Sequence, residues 1–321
     1  MLTVSASMLS TYKVCPRLYY FRYIENLVPV SMDEKIVAGS GMHIGIAAYY
    51  KNNMDRDIAF DYLTAWKELL WEKYYALPLV AQTDEQADEI SNAVDMSYKL
   101  LEYYLDFAQV NDAFKVNAIE QDFEVPVWKP DNKVMRGVRF KGTFDGIVTD
   151  HNNNVWLLEH KSAASFPQDI VLQLDHQANY YYLAATQLLG KPRGILYNVV
   201  RKIKRPNQVK DDIVKRISVI RNEDELLAIK NDLYYTVQNL KKDMPIMQHK
   251  FCAGLHCTWR CSYTSLCTAM NAGMDWRYIA EAKYVVEPER ESWEDKLNAV
   301  AKRITEQRVL KEINEGGKSY E

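Results

Sequence analysis

The 321-residue chain is poor in glycine and proline, with 12 and 10 respectively. That scarcity excludes a collagen-like or low-complexity chain, both of which need these residues in excess. No apolar run approaches the ~18 residues that cross a bilayer, so no membrane partner is expected. The opening segment MLTVSASMLS lacks the basic start and apolar stretch of an export signal, and a cytoplasmic location is the expectation. Excess basic charge is missing too: 40 Lys and Arg stand against 43 Asp and Glu, for a net charge of −3. This speaks weakly against a nucleic-acid partner, because net charge says little about local patches. The five cysteines are an odd number, which in a chain without an export signal does not make a disulfide framework.

What is there is a globular composition, 48% hydrophobic and 12% aromatic, long enough for one large domain or two small ones. Residues 1–115 read mainly as helix. Ser7 is the expected N-cap of a helix reaching about Tyr23, followed by helices over Met42–Tyr50, Asp57–Tyr75 and Asp84–Val110. Residues 116–245 change character. Strand patterns cover Lys115–Trp128, Val134–Thr149 and Val155–Lys161, and Pro126 marks the first as an edge. Asp150-His151-Asn152-Asn153-Asn154 is a turn signal. A helix is expected over Gln168–Leu189 with Gly190 just beyond its end, then a strand over Arg193–Val200 and a helix over 222–243. Three strands, a helix and a strand describe an α/β fold with a mixed sheet and a helical crossover. Residues 246–285 depend on their cysteines, and 286–321 hold a charged amphipathic helix over Glu289–Asn314.

The most informative stretch is Gly142-Thr143-Phe144-Asp145-Gly146, followed by Glu159-His160-Lys161. Glu159 and Lys161 are two apart and project from one face of a strand, where Asp145 on a neighbouring strand can meet them. Two carboxylates suit Mg²⁺ or Mn²⁺, which favour oxygen ligands. A lysine beside them can neutralise developing phosphate charge. His160 points the other way but can offer its backbone carbonyl. On spacing alone, a turn plus a surface ion pair explains these residues equally well. The apolar Trp156-Leu157-Leu158 argues instead for a buried strand, where Glu and Lys are rare.

Cys252, Cys257, Cys261 and Cys267 fall within 16 residues of one another. With His256 they suffice for a local tetrahedral Zn²⁺ site. Arg201, Lys202, Lys204 and Arg205, with Lys210, Lys215 and Arg216 nearby, form the densest basic stretch, either a phosphate-binding flank or a solvated loop.

Taken in order, these segments resemble the PD-(D/E)XK nuclease superfamily, in the RecB-type branch that includes recombination helicase–nucleases, phage exonucleases and CRISPR-adaptation nucleases. The resemblance is carried by Ser5-Ala6-Ser7-Met8-Leu9, Cys15-Pro16-Arg17-Leu18-Tyr19-Tyr20, Gly39-Ser40-Gly41-Met42-His43, Glu120-Gln121-Asp122-Phe123, the Asp145 and Glu159–Lys161 segments, and Gln177-Ala178-Asn179-Tyr180-Tyr181. It implies a restriction-endonuclease-like core and a metal-dependent deoxyribonuclease, an exonuclease by analogy, acting in recombination, repair, or phage or CRISPR DNA processing. His43 would follow a small-residue turn and bind metal with Asp145, Glu159 and the His160 carbonyl. Lys161 would be the catalytic lysine, with Gln177 and Tyr181 steadying the site and touching DNA. Cys15, Cys257, Cys261 and Cys267 resemble the ligands of the branch's 4Fe-4S cluster. Cys252 would then be spare, and the Cys257–Cys261 spacing is one residue longer than is usual there. Implied partners are DNA, as single strands or duplex ends, and a helicase, a recombinase or a second copy of the chain. The competing expectation is a DNA-binding or assembly subunit of such a complex, without cleavage; a zinc-stapled RNA-processing enzyme is a third.

Overall fold

The computed structural model describes residues 1–316 apart from 32, 78, 80, 81, 204–211, 260 and 288–292, with the backbone alone at 259 and 308–316. Among the described residues, no helix is long and apolar enough to cross a membrane.

The chain enters as a strand, β1 (Leu2–Ser5), where a helical start was expected. The first helix, α1 (Ala6–Val14), is capped by Ser5 rather than Ser7: the Ser5 hydroxyl accepts from Met8 N at 3.3 Å. It stops nine residues short of the expected end. Pro16 disfavours helical geometry at the residue before it, and Cys15 is extended, with φ −163°. The chain restarts as α2 (Pro16–Tyr19) and passes into a π-helical turn, Tyr20–Ile24. A short strand, β2 (Leu27–Pro29), follows.

Helix α3 (Glu34–Lys51) starts eight residues before the expected Met42, capped by Asp33. Gly39 and Gly41 therefore lie within a helix, not in a turn. Their small size has a packing reason, clearest at Gly41. A Cβ there would sit 2.5 Å from Ser97 Oγ and 2.7 Å from Ser97 Cβ. Ser97 belongs to α5 (Asp84–Asn111), which packs along α3 beside α4 (Arg56–Tyr75). Gly41→Val is expected to force these helices apart and cost about 1–3 kcal/mol, read as a lowered denaturant midpoint with unchanged slope.

Two long strands, β3 (Phe114–Trp128) and β4 (Val134–Asp150), pair antiparallel along nearly their whole length. Asp150 and Asn153 make the expected turn, the latter at φ 62°, leading to β5 (Val155–Ala163). The helical stretch after it is two helices, α6 (Asp169–Gln173) and α7 (His176–Leu188), broken where Asp175 caps the second. Gly190 takes the left-handed conformation just beyond, φ 76°. Strands β6 (Gly194–Arg201) and β7 (Val214–Val219) and helix α8 (Glu223–Asp243) complete the core. β7 was not foreseen, because its polar alternation (Lys215, Arg216, Ser218) merged with the basic stretch.

The order across the sheet is β3, β4, then both β1 and β5 along the other edge of β4, then β6 and β7. This sheet has six strands among the described residues. Odd positions of β5 and β6, such as Leu157 and Tyr197, pack under α1, α7 and α8. Even positions, such as Leu158 and Val200, pack under α3, α4 and α5. The C-terminal segment runs through a 3-10 turn, Met244–His249, then α9 (His256–Trp259), α10 (Thr264–Asn271), α11 (Trp276–Lys283) and β8 (Tyr284–Val286). It packs on the N-terminus: β8 pairs with β2, and Phe21 stacks on Tyr263 at 5.9 Å. The last helix, α12 (Trp293–Gly316), returns over α4, where Arg303 pairs with Glu68 and Glu72.

Candidate functional site

The site is a fork in the sheet. Pairing of β4 with β1 ends at Lys141, and pairing with β5 begins at Gly146 opposite Leu158. Asp145 and Glu159 are therefore the first residues past the β4–β5 ladder on their two strands. There the side chain of Asp145 replaces a ladder bond: its Oδ2 accepts from His160 N at 2.7 Å.

Helix α3 lays His43 over this fork. Its Nδ1 is 3.7 Å from Asp145 Oδ2 and 3.9 Å from Glu120 Oε1, and its Nε2 is 3.1 Å from the His160 carbonyl oxygen. His43, Glu120 and Asp145 each offer a ligand atom within 4.8 Å of the others, the group of this kind among the described residues. Octahedral Mg²⁺ bonds of about 2.1 Å put neighbouring ligands about 3 Å apart; the nitrogen that faces the two carboxylates is Nδ1, somewhat farther from them than that edge, while Nε2 meets the His160 carbonyl. His43 Nδ1 and Glu120 Oε2 are buried without a hydrogen-bond partner. Such atoms suit a cation, so the donors present fit a hard divalent ion.

Glu120 is an addition to the expected set. The β3–β4 register places it opposite Asp145, and its φ of 49° turns it out of regular strand geometry toward the fork. Its acidity within the Glu120-Gln121-Asp122-Phe123 strand was visible in sequence, but the twist that aims it was not. Glu159 stands slightly apart from the tight trio. Its Oε1 accepts from Lys161 Nζ at 3.0 Å and Gln177 Nε2 at 3.4 Å. Lys161 also pairs with Asp175 at 2.8 Å, a partner that the sequence did not single out. Tyr181 lies one turn beyond Gln177 on α7, and a Cβ at Gly142 would meet its ring at 2.6 Å. Trp293, at the start of α12, stacks on the His43 ring at 5.7 Å and 29°; nothing in the sequence marked it.

The electrostatics follow from burial among like charges. Burial, with Glu120 nearby, pushes Asp145 up to about 6 despite His43. Burial, with Asp145 and Asp175, pushes Glu159 up to about 7 despite Lys161. Burial alone would lower His43, but Asp145 and Glu120 overcome it and raise the imidazole to about 9. Lys161 behaves alike: burial disfavours its charge, yet Glu159 and Asp175 hold the ammonium well above its ordinary range. Without a cation, the cluster balances its carboxylates with protons.

Of the basic stretch, Arg201 and Lys202 lie on the rim, two and three residues past the position of β6 opposite Lys161. Arg201 is 5.4 Å from the Phe166 ring, joined there by Lys215 at 4.7 Å. Lys202 donates to Lys35 O at 3.2 Å. Arg216, expected near solvent or phosphate, turns inward instead and pairs with Asp112 at 2.6 Å. Lys204, Arg205 and Lys210 lie outside the described residues.

The cysteines meet although Cys15 is more than 230 positions from the rest. Cys15, Cys252, Cys257, Cys261 and Cys267 line one cavity of about 190 Å³, with His256 beside them. Cys252, expected as a spare, is at the same wall, its N–H 3.4 Å from Cys15 Sγ. Buried Arg17 donates to Cys267 Sγ at 3.1 Å. Thiols and an imidazole are donors suited to either zinc or an iron–sulfur cluster.

The family model described as the PD-(D/E)XK nuclease superfamily matches residues 3–268. No curated protein matches the chain in sequence. Solved structures similar to it include SSO0001, 13% identical with a TM-score of 0.37, covering 83% of this chain and 86% of that one. Another is the Eubacterium rectale "Putative exonuclease", 11% identical with a TM-score of 0.43, covering 78% of this chain and 84% of that one.

Proposed function

Because the chain belongs to the PD-(D/E)XK nuclease superfamily, we propose that it is a divalent-metal-dependent deoxyribonuclease that degrades DNA from its ends. The single observation that carries this reading is the fork itself, where His43, Glu120 and Asp145 converge beside Glu159 and Lys161. Mg²⁺ or Mn²⁺ would be held by His43, Glu120, Asp145 and the His160 carbonyl, with Glu159 at the edge of the cage. When bound, the ion supplies Lewis-acid stabilisation of charge on the phosphodiester.

The protein's own groups do the rest. Lys161 stays protonated between Glu159 and Asp175, so it serves as donor and charge stabiliser, not as general base. It would orient the attacking water and meet the developing phosphate charge. Gln177 and Lys161 together fix the Glu159 carboxylate, and Tyr181 walls the site against Gly142. Arg201 and Lys202 on the rim would contact the phosphates of the incoming strand. The thiol cavity would carry a 4Fe-4S cluster ligated by Cys15, Cys257, Cys261 and Cys267, joining the two ends of the chain.

Incubation with 5′- and 3′-labelled single- and double-stranded DNA tests the reading. Progressive shortening of linear DNA with Mg²⁺ or Mn²⁺, absent with chelator and with closed circles, is the expected result. Binding without cleavage across several divalent metals would refute it. Asp145, Glu159 and His43 hold protons up to about 6, 7 and 9, and protons compete with the cation for these ligand atoms. Mn²⁺ affinity should therefore rise as pH climbs through that range.

A further inference from the structure

The face of β5 opposite Glu159 and Lys161 carries a closed ring of buried hydrogen bonds that no step of the cleavage chemistry uses. Asp112, just past the end of α5, accepts from Arg216 Nη2 on β7 at 2.6 Å and from Tyr50 Oη on α3 at 2.6 Å. Tyr50 and Tyr104 hydroxyls are 2.6 Å apart. Asn198 on β6, fully buried, closes the ring: its Nδ2 is 3.3 Å from Tyr104 Oη, and its Oδ1 accepts from Arg216 Nε at 2.6 Å. A spur leaves the ring at one point, Asn198 Nδ2 to His160 Nδ1, 3.3 Å.

The donor inventory gives this ring a direction. A guanidinium only donates and a carboxylate only accepts. Arg216 therefore takes the oxygen of Asn198, which turns the NH₂ of Asn198 toward Tyr104 and His160. An N–H pointing at Nδ1 requires that nitrogen to be bare, so the His160 proton sits on Nε2. The imidazole is packed edge-on against Tyr104 at 5.0 Å and against His43 at 5.9 Å. Its own peptide groups are the ones the fork depends on: the N–H anchors Asp145, and the carbonyl faces His43.

We propose that Asn198 and Arg216 are positioning residues for the metal centre, holding the His160 side chain in one tautomer and one orientation and thereby the two peptide groups that set the spacing of Asp145 and His43. This rests on the metal site described above. By hydrogen bonds among the described residues, Arg216 reaches the site through Asn198, and Asn198 through His160. The long-range contact is the reason a surface-looking basic residue of β7 is turned inward.

The decisive variant is Asn198→Asp, nearly isosteric, whose carboxylate still accepts from Arg216 but offers no N–H to His160. Nitrogen-15 NMR of the histidines should show a bare His160 Nδ1 in the wild type and a protonated one in the variant. The Kd for Mn²⁺, measured without DNA by EPR of the free ion, should weaken about tenfold, the scale of other outer-shell changes. If Asn198→Asp does not fold, Arg216→Lys serves: it keeps a cation beside Asp112 but loses the planar fork, and should give mixed tautomers and weaker Mn²⁺ binding. A merely structural role would lower Tm while leaving the tautomer and the Kd of the folded protein as they were. A wild-type proton on Nδ1, or a Kd within about twofold of wild type in the folded variants, overturns the proposal. Wild-type protein that binds Mn²⁺ while the variants bind it equally refutes the positioning role alone. Wild-type protein that binds no Mn²⁺ refutes the metal reading, and the positioning role with it.

Discussion

Asp145→Ala and Lys161→Ala should each remove nearly all metal-dependent DNA cleavage while leaving the chain folded. Asp145 is the hub of the fork: it is 3.7 Å from His43 and receives the His160 N–H. Removing it takes away a ligand oxygen and the bond that substitutes for the missing β4–β5 pairing. Several kcal/mol of transition-state stabilisation depend on the ion it would hold, which is about 10³-fold in rate. Lys161 contributes a fixed positive charge, and losing such a donor costs about 10²–10³-fold in kcat. The two variants should differ in a second measurement. Asp145→Ala should weaken Mn²⁺ binding, whereas Lys161→Ala should leave it intact or strengthen it, since an ammonium beside the cage repels a cation. Full activity in both variants would mean that the site lies elsewhere. Both changes should also lower Tm, because Asp145→Ala leaves the buried His160 N–H without its acceptor and Lys161→Ala leaves the Glu159 and Asp175 carboxylates without their cation.

Cys15→Ser and Cys261→Ser are expected to bleach the visible absorbance of anaerobically purified protein and to loosen both ends of the chain together. Cys15 stands between α1 and α2, and Cys261 precedes α10, yet both line one cavity. The aromatic contacts around it, Phe21 on Tyr263 and on Trp276 at 5.2 Å, join the same two ends and should remain as the residual tie. Limited proteolysis should therefore cut residues near both termini faster in either variant, a coupling expected when a cross-link closes so long a loop. Colourless wild-type protein with stoichiometric zinc would overturn the cluster assignment. Cys252→Ser separates the ligand sets: retained colour leaves Cys252 a bystander at the wall, and lost colour makes it a ligand in place of another thiol.

Much of this was readable before any coordinates. The strand patterns of Val134–Thr149 and of the short, apolar Val155–Lys161, and the Asp150–Asn154 turn between them, predicted the hairpin that carries Asp145 and Glu159. Spacing of two put Glu159 and Lys161 on one face, and spacing of four put Gln177 and Tyr181 on one side of α7. These are local periodicities, set by backbone geometry within a few residues. Local errors had local causes as well. Pro16 broke a helix that apolar spacing alone extended, and Asp175 capped a new helix inside a continuous pattern.

What the sequence determined by itself was the inventory and its order: a sheet hairpin with two acids and a lysine, a histidine upstream, and thiols at both ends. Only the tertiary structure decided which of these meet. The fork exists because β4 changes partner from β1 to β5, and a change of partner leaves no trace in either strand's own periodicity. Glu120 joins His43 and Asp145 through one residue at positive φ; Arg216 turns inward because Asp112 and Asn198, far away in the chain, offer it acceptors. Cys15 reaches the other cysteines because α10 and α11 pack on the π-helical turn behind it. Periodicity reports which face of an element is apolar, but the partner of that face is chosen by packing among segments distant in sequence.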